Sequence, residues 1–204
     1  EPINISPIMK LFGMDLFGYP ETIVEHYAPQ ILRPVPDELS IWSANTANLR
    51  GRKEGTASFF ERLSKKEQEK NLESMVGQIQ DGKPSAVLFQ ENDRGSWRTS
   101  GIKQAETIAK KTGYDIMTAP VHMVPGMLIM GNAILSKHPI KQIGRWDYST
   151  WGLRIIHEYK DLMGAALCFE EGEVAVYNTH FLAWDMVYGF GSSWLRKKEA
   201  QDYR

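Results

Sequence analysis

Between residues 64 and 120 the hydrophobic period switches from helical to extended and back, and this switching limits the fold more than any other feature of the chain. Ser64 followed by Glu67 reads as a capping box, after which Leu72, Met75, Val76 and Ile79 recur at helical spacing until DGKP breaks the pattern. The apolar run SAVLFQE follows at once as a buried strand. A second helix sets Ile102, Ala105 and Ile108 on one face with Gly113 at its C-terminal cap, and YDIMTAP follows as a further strand. Upstream, LSIWSANT alternates, so Ile41, Ser43 and Asn45 share one face while Trp42 and Ala44 share the other. The order strand, helix, strand, helix, strand predicts an α/β layered domain.

Beyond it the pattern changes to strands joined by short connections: GNAILSK, RIIHEYK, GAALCFEE and EVAVYNTHF, with Gly172 as a hairpin turn between the last two. A mixed sheet is expected rather than a purely parallel one. Residues 1–38 read as an N-terminal extension packed on a domain of residues 39–204, with YPETIVEHY forming one or two helical turns behind Pro20. The final SSWLRKKEAQDYR reads as a helix that reaches Arg204 without a stop signal, so the chain is expected to be cut in mid-element. No internal repeat or dividing linker interrupts it.

With 42% hydrophobic and 24% charged residues, 204 residues suffice for one well-filled globular domain. A formal net charge of -1 supplies no global pull toward nucleic acid. The single cysteine, Cys168, excludes a disulfide framework, and its apolar setting GAALCF suits a packed thiol better than a nucleophile. The most apolar stretch, VHMVPGMLIMGNAIL, is broken by Pro125 and Gly126 and falls short of the roughly 18 to 20 residues that a bilayer span requires, so a soluble protein is expected. Because the chain opens at Glu1 without methionine, removal of an N-terminal segment is also expected.

Three polar residues terminate strands: Asn45, Glu91 and His180. On EVAVYNTHF the period of two sets Val174, Val176, Asn178 and His180 on one side, so His180 closes an apolar face much as Glu91 does. Sheet ends are where α/β proteins gather ligand-binding groups. Each residue also has a plain structural reading: a salt-bridge partner for the glutamate, a turn former for the asparagine, a hydrogen-bonded histidine. A carboxylate ending a buried strand is costly unless neutralised, and a metal ion is one means.

Taken in series, SIWSANTANLRG, AVLFQEND, GNAILSKHPI and VAVYNTHF resemble the first four signature segments of the endonuclease/exonuclease/phosphatase superfamily, which includes deoxyribonuclease I-like nucleases, abasic-site endonucleases, neutral sphingomyelinases and inositol polyphosphate 5-phosphatases. The resemblance runs from about residue 39 to the C-terminus. It implies a sandwich of two mixed β-sheets flanked by helices, and a phosphoesterase using magnesium or manganese. Glu91 matches the glutamate that holds the cation, Asn45 the asparagine that helps orient metal and scissile phosphate, and His180 the histidine that contacts the phosphate. Asn178 and Asn132 are supporting candidates, for which a structural role accounts equally well. In such a site an activated water attacks phosphorus in line while the metal and His180 stabilise the charged transition state.

The sequence also departs from the family pattern. Neither the Gly-Asp-x-Asn motif, whose aspartate orients or deprotonates the attacking water, nor the terminal Asp-His pair occurs in it. The resemblance therefore implies a domain incomplete at its C-terminus, with activity impaired in this chain alone and with a C-terminal segment or another subunit completing the fold. A catalytically inactive binding or scaffold module of the same fold is the alternative. The substrate class, whether nucleic acid, phospholipid or phosphorylated small molecule, stays open. Trp184, Tyr188, Phe190 and Trp194 could meet a lipid interface or stack on bases, or simply cover the core, and Arg50, Arg52 and Lys53 could hold a phosphate or lie in a solvated loop.

Overall fold

The computed structural model describes residues 22–49, 62–124, 128–147 and 161–180. The expected strand at 154–160, the loop residues Arg50, Arg52 and Lys53, the aromatic segment 183–194 and the C-terminal helix lie outside the described residues.

Helix α1 (Lys65–Gly82) starts where the capping box predicts. The Ser64 hydroxyl accepts the Glu67 N–H at 3.2 Å, and the Glu67 carboxylate accepts the Ser64 N–H at 3.0 Å. It buries Leu72, Val76 and Ile79 and stops at Lys83, which turns left-handed and donates its N–H to the Ile79 carbonyl. Helix α2 (Gln104–Thr112) buries Ala105, Ile108 and Ala109 and ends at Gly113, whose φ of 73° suits a residue without Cβ.

The strands are β1 (Ile23–Glu25), β2 (Ile41–Asn45), β3 (Ala86–Asp93), β4 (Asp115–Val124), β5 (Leu128–Ser136), β6 (Ile140–Asp147), β7 (Asp161–Cys168) and β8 (Glu173–Thr179). They form a five-stranded sheet in the order β1-β4-β5-β3-β2 and a three-stranded sheet in the order β6-β7-β8. Among the described strands only β2 and β3, linked through α1, run parallel. The larger sheet is therefore mixed, whereas the smaller one is antiparallel throughout its described strands, since short connections such as the Gly172 turn join neighbours directly.

Alternation along the strands divides the apolar residues between two cores. On one side Val87, Phe89, Ile116 and Leu135 meet Leu72, Val76, Ile79 and Ile108 of the helices. On the other, Met117, Ala119 and Ile134 meet Met163, Ala165, Leu167 and Val176 of the smaller sheet. The result is a helix layer on a sandwich of two sheets, with the helices on the outer face of the larger sheet. No helix among the described residues is long and apolar enough to cross a membrane.

Two features differ from the sequence reading. Residues 23–25 form a strand rather than a helical turn, because Ile23 and Val24 add to the edge of β4. Buried Asp115 holds the chain leaving that strand: its carboxylate accepts the N–H groups of Tyr27 and Ala28 at 2.9 and 2.8 Å and the Gln30 amide at 2.8 Å, and lies 2.8 Å from His26 Nδ1. The N-terminal stretch thus supplies an edge strand of the larger sheet. Strand β6 has no counterpart in the sequence reading, since Lys141, Gln142 and Gly144 interrupt its apolar pattern on a solvent-facing side.

His138 lies in the turn that connects the two sheets and packs against Phe169, ring centroids 4.6 Å apart. Burial, reinforced by Lys137 and Arg33, holds its pKa below the ordinary 6.5. The folded state therefore binds fewer protons than the unfolded chain below neutrality, so this contribution to stability is complete above pH 6.5 and declines as pH falls through it toward the lower folded value. Chemical denaturation between neutrality and about pH 5 is expected to show a slope that His138→Gln flattens.

Candidate functional site

Strand β3 does not end at Glu91, as its apolar run suggests, but carries it on a bulge. The β3–β5 register passes from Phe89 opposite Ala133 to Asn92 opposite Gly131, three steps against two. Without that extra residue Glu91 would share the helix side with Val87 and Phe89. Instead Glu91 adopts φ of 50°, in the left-handed region, and the phase of the strand shifts by one. Asn92 now takes the helix side, accepting the Ala105 N–H at 3.1 Å. Gln90 and Glu91 both turn toward the other side.

There Glu91 meets the ends of two further strands. Asn45 closes β2, and its Oδ1 accepts the Ala47 N–H at 2.9 Å, the turn-forming role that asparagine commonly plays. This contact fixes the amide so that Nδ2 donates to Glu91 Oε1 at 3.0 Å. His180 directly follows β8, with Nε2 3.4 Å from Glu91 Oε1 and 3.5 Å from Asn45 Nδ2. The three sequence-predicted residues, up to 135 positions apart in the chain, thus converge on one spot where the two sheets open. The Glu91 and His180 side chains are 21% and 25% exposed and Asn45 is exposed, so the cluster is within reach of solvent.

Asn178 and Asn132 lie elsewhere. Asn178 is buried between the sheets: Nδ2 donates to the Phe89 and Ala133 carbonyls at 2.8 and 2.9 Å, and Oδ1 accepts from Gln90 Nε2 at 2.6 Å. Both its donors are committed to backbone, so it pins β8 to β3 and β5 beside the bulge. Asn132 donates to Asp161 Oδ1 at 2.7 Å, and Asp161 in turn pairs with Arg145 Nε at 2.5 Å and accepts the Thr179 hydroxyl on its carbonyl at 3.0 Å. That chain of contacts holds the end of β8 from which His180 projects.

Sequence reasoning missed Asp93. Fully buried, it accepts from Ser96 N and Oγ at 2.9 and 2.5 Å, from Arg98 Nε at 2.8 Å and from Thr99 Oγ1 at 2.8 Å. This anchors the loop between the bulge and α2. The spacing Asp93, Ser96, Thr99 is the available signal, because an Asx-type turn requires an acceptor followed closely by hydroxyl and backbone donors. Cys168 shows no activation: burial, then Glu173, push its thiol pKa up, which opposes thiolate formation.

A cation would have to rely chiefly on Glu91. The Asn45 hydrogen bond and the His180 approach both fall on its Oε1. No set of three acidic, histidine or cysteine side chains able to cage a metal exists among the described residues. A single carboxylate would be compatible with a hard cation that keeps several of its waters.

No protein-family model and no curated protein matches the sequence. Solved structures do match the fold. An endonuclease/exonuclease/phosphatase family protein from Leptotrichia buccalis superposes with a TM-score of 0.50 at 12% identity, over 71% of this chain and 55% of that one. An endonuclease/exonuclease/phosphatase from Beutenbergia cavernae gives 0.47 at 16% identity, over 70% and 38%. ANGEL2, a 2',3'-cyclic phosphatase, gives 0.42 at 14% identity, over 81% and 45%. The chain spans about half the length of these structures or less.

Proposed function

From a chain that has the deoxyribonuclease I-like fold of the endonuclease/exonuclease/phosphatase superfamily, we propose that the Asn45–Glu91–His180 cluster is the cation- and phosphate-binding part of a phosphoric ester hydrolase. The observation that carries this reading is the convergence of a carboxylate, an amide donor and an imidazole from three separate strands, within 3.5 Å of one another.

Glu91 is the ligand of a magnesium or manganese ion, which when bound supplies positive charge to polarise phosphate oxygens. Asn45, whose oxygen accepts from Ala47, turns its N–H donor toward Glu91. Its part is to orient Glu91 and to donate to a phosphate oxygen. His180 supplies a further donor where negative charge grows on the phosphoryl group. Asn178 positions both strands without touching substrate. The substrate is a phosphate ester, and the attacking water requires a base that the Asn45–Glu91–His180 cluster does not include.

The 204-residue chain is accordingly expected to bind magnesium while turning over a chromogenic phosphodiester very slowly. Calorimetric titration tests the first half. Glu91→Gln should abolish the binding isotherm and leave the unfolding transition in place. A chain that binds no magnesium before substitution would instead favour an inactive binding module, and brisk turnover surviving in Glu91→Gln would overturn the assignment.

A further inference from the structure

On the helix side of the bulge, immediately after Glu91, lies a niche of about 10 Å³ bordered by Asn92 and Arg94, Glu106 of α2, Thr118 and Pro120 of β4, and Asn132 of β5, with the Arg94 and Glu106 charges paired to each other. Three polar atoms of its lining residues are buried without a hydrogen-bond partner: Asn92 Nδ2, Glu106 Oε2 and Thr118 Oγ1. Their residues are only 5%, 8% and 5% exposed. Orphaned buried polar atoms are uncommon, and three around one small niche call for a common partner.

The donor set identifies that partner. Asn92 Oδ1 accepts the Ala105 N–H at 3.1 Å, so the amide is not free to flip and Nδ2 must present hydrogens. Glu106 Oε1 is paired with Arg94 Nε, which leaves Oε2 as an acceptor. Thr118 Oγ1 serves in either role. A metal ion would face the amide hydrogens, and an anion would face the Glu106 carboxylate. A neutral molecule that accepts once and donates twice satisfies all three, and the space matches one water.

We infer that this niche binds a single ordered water, accepting from Asn92 and donating to Glu106 and Thr118. The water joins the residue following Glu91 to α2 and β4, so the bulge is braced from the helix side as Asn178 braces it from the sandwich side. This site is independent of any metal at Glu91.

A crystal structure of the 204-residue chain at a resolution that shows ordered solvent tests the inference. One peak is expected, within roughly 2.7–3.2 Å of the three atoms. In solution, the near-isosteric Thr118→Val, which keeps the buried volume but loses the third contact, should lower the unfolding midpoint by about 2–4 °C relative to the unsubstituted chain. Direct pairing of Asn92 with Glu106 and no peak would overturn the inference. So would a peak with contacts near 2.0–2.4 Å, which indicate a metal, or a Thr118→Val midpoint equal to that of the unsubstituted chain.

Discussion

Asp93→Ala is expected to destabilise the fold by about 3–5 kcal/mol, a large share of the stability of an ordinary domain. Asp93 is 0% exposed and Arg98 is 2% exposed. Removing the carboxylate takes the opposing charge from 2.8 Å of the buried Arg98 Nε, deprives the Ser96 N–H and hydroxyl of their acceptor, and leaves the Thr99 hydroxyl only its longer contacts to the Ser96 and Ile102 carbonyls. Those losses fall on the loop that leads from the bulge into α2. Denaturant unfolding measures the effect. Arg98→Leu in the same chain should recover part of the loss, because it removes the buried guanidinium that Asp93 serves instead of adding a second defect. A loss below about 1 kcal/mol would mean that solvent replaces the carboxylate, and the burial argument would be wrong.

The second large effect concerns Asn178. Asn178→Ala removes three buried hydrogen bonds at once, those to the Phe89 and Ala133 carbonyls and the one from the Gln90 amide, which keeps only its longer contacts to Ser43 and Leu88. With about 1 kcal/mol for each hydrogen bond lost, the expected total is about 3 kcal/mol. The consequence for the site is separable from stability. Gln90 adjoins Glu91 on the bulge, and Asn178 lies two residues before His180, so the variant should also bind magnesium about tenfold more weakly under conditions where it remains folded. Unchanged affinity in the folded variant would show that the staple acts on stability alone.

Much of this architecture is written in local patterns. Ser64 and Glu67 fix the start of α1, Gly113 fixes the end of α2, and Gly172 turns β7 into β8, because caps and turns depend on residues only a few positions apart. The meeting of Asn45, Glu91 and His180 was legible for a different reason: Asn45 ends β2, His180 follows β8 and Glu91 ends the apolar run of β3, and such positions gather at one edge of a layered sheet. What escaped depends on partners distant in sequence. Ile23–Glu25 becomes a strand only because β4 offers an edge, and β6 pairs with β7 despite the polar residues on its outer side. The bulge is least legible of all. Nothing in LFQEND marks the extra residue, which is visible only when β3 is set against β5. Asn178 likewise reads from sequence as one more polar group on a strand, whereas its partners lie 45 to 89 positions away.

The left-handed backbone at Glu91 has an evolutionary side. A side chain with a Cβ costs about 1 kcal/mol in that conformation, whereas glycine adopts it freely and asparagine tolerates it. A population of variants selected for heat resistance alone should therefore drift toward glycine at position 91, shedding the carboxylate as it gains robustness. Persistence of glutamate there, against the preference of its own backbone, is what selection for chemistry would leave behind.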